Sequence, residues 1–85
     1  MILNCIAVDD EPLALGLVSK FIEPPAFLNL AGKYAGAVEA LKALHTQQID
    51  LIFLDIQMRD LNGSELARVL EKRDPRTRII FTTAY

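Results

Sequence analysis

Apolar positions along the chain alternate between short continuous runs and stripes of helical spacing. The first eight residues, MILNCIAV, are a nearly unbroken apolar run, the pattern of a strand covered on both faces. Pro12 suits the first turn of a helix, where its missing N–H is no loss. Ala14, Leu17, Val18 and Phe21 then recur at i, i+3, i+4 and i+7, a stripe expected to face the core, and Pro24-Pro25 ends the segment. Leu28–Tyr34, LNLAGKY, alternates apolar with small or polar residues and predicts a less central strand. Ala37–Gln48 returns to helical spacing, with Ala37, Val38, Leu41 and Leu44 on one side and His45 near the end, where the helix dipole favours a cation. Ile49–Ile56, IDLIFLDI, is the strongest strand signal. Leu61, Leu66, Val69 and Leu70 mark a third helix, opening after Asn62-Gly63 and closing before Asp74-Pro75, and Arg78–Thr83 is a fourth strand.

Strands separated by single helices predict an α/β fold, a doubly wound parallel sheet with helices on both faces. Right-handed crossovers and short connections leave few topologies. The first and third strands are the most hydrophobic and are expected to be central neighbours. The alternating second strand is expected at an edge, giving the order 2-1-3-4.

Composition narrows the function classes. The 85 residues suffice for one small domain, 52% hydrophobic and 24% charged. Net charge is −2 and the nine Lys and Arg are scattered, apart from a loose group at Lys72, Arg73, Arg76 and Arg78; nucleic-acid binding by this chain alone has little support. The single cysteine, Cys5, lies in an apolar run and reads as a small buried hydrophobe. No stretch approaches the roughly 18 uninterrupted apolar residues of a membrane span, so no membrane role and a reducing, cytoplasmic setting are expected.

Candidate chemistry lies at the strand ends. In sheets of this kind ligands sit beyond the carboxyl ends of the strands, where strand order reverses. Asp9 and Asp10 follow the first strand, Asp55 ends the third, and Thr82-Thr83 ends the fourth. Adjacent anions repel, and burying even one costs several kcal/mol unless it is paired; the cluster calls for a positive partner. Carboxylates without soft donors suit a hard divalent cation, Mg²⁺ above all. Helix capping by Asp9, Asp10 and Glu11 accounts for one of these acids but leaves Asp55 unexplained. Neither G-x-x-x-x-G-K-[ST] nor G-x-G-x-x-G occurs, and a D-x-D phosphohydrolase would carry an acid where Gln57 stands. Asp55 beside a cation can act as a nucleophile toward a phosphoryl group.

Three segments, VDDEPLA (Val8–Ala14), FLDIQM followed by LNG (Phe53–Gly63) and IIFTTAY (Ile79–Tyr85), resemble the receiver domain of bacterial two-component response regulators. The DDEP, DIQM and TTAY stretches resemble in particular regulators with a LytTR-type DNA-binding output. The resemblance implies a flavodoxin-like fold and a phosphoacceptor, Asp55, that takes its phosphoryl group from a histidine kinase. It implies Mg²⁺ held by Asp9, Asp10, Asp55 and the backbone carbonyl of Gln57, and a switch hydroxyl at Thr83, with Thr82 a spacer. It further implies a signalling domain rather than a turnover enzyme, regulating transcription through an output domain absent here, which alone would contact DNA. A Mg²⁺-dependent phosphohydrolase and a non-phosphorylated interaction fragment remain the alternatives. Arg59 departs from the family's proline. Residues 1–85 read as a single, C-terminally incomplete receiver domain, lacking the usual last helix-strand-helix and the lysine that strand carries. That reading leaves the fourth strand exposed, and self-association through it is expected.

Overall fold

The computed structural model describes residues 1–55, 63–73 and 76–82. Its elements are β1 (Leu3–Val8), α1 (Pro12–Ile22), β2 (Leu28–Tyr34), α2 (Ala37–Thr46), β3 (Leu51–Asp55), α3 (Gly63–Arg73) and β4 (Arg78–Thr82). The four strands form one parallel sheet in the order β2-β1-β3-β4. The two apolar runs are thus the central neighbours and the alternating strand an edge, as the hydrophobic pattern predicts. This is the flavodoxin-like arrangement. Met1 and Ile2, apolar but exposed, precede the strand.

Strand alternation divides the core in two. Ile6, Val8, Ile52 and Leu54 point to the face covered by Ala37 and Ala40 of α2 and by Leu66 and Leu70 of α3. Cys5, Ala7, Leu51 and Phe53 point to the opposite face, where Leu15, Val18 and Ile22 of α1 pack. Among the described residues α1 is the helix on this second face, and Val18, Phe21, Ile22, Leu28, Phe53, Ile80 and Thr82 line an open apolar groove of about 320 Å³ beside it.

The helix faces differ from the stripes expected. Leu17 and Phe21 are 57% and 72% exposed, and the buried side of α1 is Leu15, Val18, Ser19 and Ile22. Both sets have the same i, i+3, i+4, i+7 spacing, and α1 is apolar on most sides, so periodicity cannot choose between them. The buried face includes a serine, which satisfies its own hydroxyl by donating to the Leu15 carbonyl at 2.7 Å. In α2 the alanines at 37, 40 and 43 sit deepest, with Leu41 and Leu44 flanking them and Val38 exposed. Small residues there let the helix lie close to the sheet. Val69 of α3 also points outward.

The amino end of the sheet is closed by a polar clamp. The Asn4 N–H donates to Asp50 Oδ2 at 2.8 Å, the Asp50 N–H to the Asn4 carbonyl at 2.8 Å, and the Arg78 N–H to the Asp50 carbonyl at 2.9 Å. Asn29 reaches Asn4 Oδ1 from the edge strand at 3.1 Å, and the buried Thr77 hydroxyl donates to the Ile49 carbonyl at 2.8 Å. One acid therefore registers β1, β3 and β4.

Candidate functional site

The carboxyl end is built differently. β1 runs buried to Val8, and Asp9 follows at 6% exposure. Its backbone N–H donates to the Tyr34 carbonyl at the end of β2, at 3.1 Å, so the ladder continues one residue past the strand. Asp9 Oδ1 accepts from the Glu11 N–H at 2.9 Å, turning the chain toward α1. Glu11 is the N-cap, in extended conformation, and its carboxylate accepts from the Leu13 N–H at 3.1 Å; Pro12 opens the helix. Capping thus accounts for Glu11, the exposed acid of the three. Asp9 and Asp10 are left to the crevice.

Asp55 enters from the neighbouring strand, at the end of β3 and half-buried. One carboxylate oxygen from each of Asp9, Asp10 and Asp55 lies within 4.8 Å of the other two. Burial pushes the Asp9 carboxyl above the ordinary carboxylate value; the Glu11 N–H opposes this, and the charge of Asp55, a hydrogen bond shared with it, and the charge of Asp10 add to the rise. A group so placed gains from a cation that neutralises its neighbours.

The donor set fits a hard divalent ion. Around Mg²⁺, with metal–oxygen distances of about 2.1 Å, ligands on opposite sides stand about 4.2 Å apart. A spread of up to 4.8 Å needs only a small side-chain adjustment or an intervening water for one ligand. All three ligand groups are carboxylates, so soft-metal chemistry has no donor within this cluster.

Thr82 pairs with Asp55 in the β3–β4 register and lines the apolar groove on the α1 side. Thr83, Gln57 and Arg59 lie outside the described residues. Sequence reasoning missed Tyr34, whose carbonyl holds Asp9. Its signal was the isolated Gly32 within a strand pattern, which marks a bulge or a close approach. Among the described residues no helix is long and apolar enough to cross a membrane.

Comparison with known proteins agrees with this geometry. Residues 5–85 match the family model described as the response regulator receiver domain. Over 83 residues the chain is 35% identical to the transcriptional regulatory protein BtsR of Escherichia coli (strain K12) and 36% identical to the sensory transduction protein LytT of Bacillus cereus. Each alignment covers 98% of this chain and 34% of the relative, so the chain spans about a third of the length of the curated relatives it matches. Among solved structures it resembles the isolated REC domain of RcsB from Salmonella enterica serovar Typhimurium, with a TM-score of 0.92 at 22% identity, covering 100% of this chain and 64% of that one. The response regulator domain of Thermotoga maritima CheB gives a TM-score of 0.88 at 25% identity, covering 99% and 62%. The RcsB likeness bears on fold alone.

Proposed function

This chain belongs to the response regulator receiver domain family, a family of signalling domains, and we propose that it accepts a phosphoryl group on Asp55 from a histidine kinase. The observation that carries the reading is the meeting of Asp9, Asp10 and Asp55 within 4.8 Å at the ends of two adjacent strands. In the transfer, an Asp55 carboxylate oxygen attacks phosphorus, the bond from phosphorus to the imidazole nitrogen breaks, and that nitrogen keeps the electron pair and takes up a proton. Mg²⁺, when bound, neutralises charge on the phosphoryl oxygens, which lets an anionic nucleophile approach an anionic donor.

Asp9, Asp10 and Asp55 would hold that ion together with the Gln57 backbone carbonyl, and the Thr83 hydroxyl would follow the phosphoryl group. The aspartyl phosphate carries about −1.5 to −2 charge at neutral pH where the carboxylate carried a single one, and it projects that charge on three new oxygens beside two existing acids, enough to reorganise the surrounding loops. BtsR is a transcriptional regulatory protein, which supports transcription control; the DDEP, DIQM and TTAY stretches favour a LytTR-type output domain as its route. A cytoplasmic location follows from kinase and DNA as partners. Ile80 and Phe81 of β4 are 42% and 45% exposed, which favours self-association through that strand; sedimentation that shows only monomer at high concentration rejects it.

The deciding experiment is incubation with acetyl phosphate and Mg²⁺, read by intact mass. One added phosphoryl group, lost in Asp55→Asn, supports the reading. Steady release of phosphate without accumulation supports a phosphohydrolase instead, and Mg²⁺ binding without uptake supports an interaction fragment.

A further inference from the structure

The β1–β2 register runs Leu3↔Leu28, Asn4↔Asn29, Cys5↔Leu30 and then Ile6↔Gly32, so Ala31 is skipped and β2 carries a bulge. Bulges re-aim the side chains beyond them. Leu28 and Leu30 pack on the α1 side, whereas Ala31 and Tyr34 pack against the α2–α3 side. The Tyr34 side chain lies back across Gly32. A Cβ at position 32 would stand 2.5 Å from Tyr34 Oη and 2.8 Å from both Cε2 and Cζ of the ring. Gly32 does not have a positive φ; what the position requires is space for the ring. The Tyr34 carbonyl, in turn, accepts the Asp9 N–H at 3.1 Å, the last backbone bond before the acids.

We propose that Gly32 and Tyr34 are positioning residues for the acid cluster: the bulge and the seated ring fix the Tyr34 carbonyl, which fixes Asp9 relative to Asp55. Neither residue belongs to the acid cluster itself. They act through the Asp9 backbone, and the bond from the Asp9 carboxylate to the Glu11 N–H carries that placement into the turn. Outer groups that orient ligands typically alter metal affinity 10- to 100-fold when lost. The consequence for Mg²⁺ rests on the reading of Asp9, Asp10 and Asp55 as its ligands, but the mechanical link does not.

Two measurements on the full 85-residue chain test it. In metal-free protein, Gly32→Ala is expected to raise the hydrogen-exchange rate of the Asp9 amide while Ile6 and Ala7, deep in β1, keep their protection. In the same variant Mg²⁺ binding is expected to weaken about tenfold. Tyr34→Ala produces the same pair of changes, and Gly32→Ala added to Tyr34→Ala changes neither further, because the colliding ring is gone. A merely structural role lowers thermal stability but leaves Asp9 exchange tracking Ala7 and leaves Mg²⁺ affinity intact; that result overturns the proposal. If Gly32→Ala fails to fold, Tyr34→Ala decides alone by the same two readouts. Should Asp9 exchange respond while Asp10→Asn leaves Mg²⁺ binding unaltered, the positioning link stands and the metal reading falls.

Discussion

The two ends of the sheet use the same side chain for opposite purposes. At the amino end Asp50 meets a backbone N–H of Asn4, and its own N–H and carbonyl join the neighbouring strands. At the carboxyl end Asp9, Asp10 and Asp55 meet one another. Asp50 is part of the frame; Asp9 also accepts from a backbone N–H, that of Glu11, but it meets two further carboxylates, and acids brought together in this way store an unfavourable interaction that a cation relieves. Residue type does not separate the two roles. Partners do.

One substitution applied at both ends gives the sharpest contrast. Asp55→Asn is expected to abolish phosphoryl uptake from acetyl phosphate, while Asp50→Asn, whose amide oxygen can still accept from Asn4, retains it; intact mass distinguishes them. Uptake by Asp55→Asn, or its loss in Asp50→Asn, would erase the distinction between the ends. Next in size, Asp10→Asn is expected to weaken Mg²⁺ about tenfold or more by isothermal titration, with Asp50→Ala leaving that affinity unchanged. In chemical denaturation the order reverses. Asp50→Ala leaves the Asn4 N–H without its acceptor and costs about 1–3 kcal/mol, and Asp10→Asn costs little.

The smallest effect concerns pH. Because the folded Asp9 carboxyl titrates above its unfolded value, the stability it contributes is fully present below the unfolded value of about 3.9 and is lost as pH rises through the folded one. Metal-free protein should therefore lose stability across that rise, Asp9→Asn should flatten the loss, and Mg²⁺ at neutral pH should offset it. Thermal melts from pH 4 upward, with and without the ion, check all three.

How much of this was legible in the sequence follows from where the signal was one-dimensional. β1 and β3 announce themselves as continuous apolar runs, and acids that directly follow such runs must emerge at one end of a parallel sheet. Strand order and the convergence of Asp9, Asp10 and Asp55 came from those two facts. The buried side of α1 did not, because Leu17 and Phe21 offered as good a stripe as Leu15 and Ile22, and Ser19 on the true face looks polar until its hydroxyl is bonded to Leu15. The Asp50 clamp and the seat of Tyr34 on Gly32 depend on register between strands, which a single strand's pattern does not encode. Asp50 is also the second residue of the strongest strand signal, where a lone acid near the start reads as flanking polarity.

Cys5 sits on the central strand with no exposed surface, and burial first, then the charge of Asp50, raises its thiol pKa. A thiol both hidden and protonated is inert toward alkylating reagents until β1 separates from its neighbours. The chain thus carries its own clock: under excess reagent, the labelling half-life of Cys5 times the opening of the central strand, and a ligand seated at the far end of β1 lengthens that half-life.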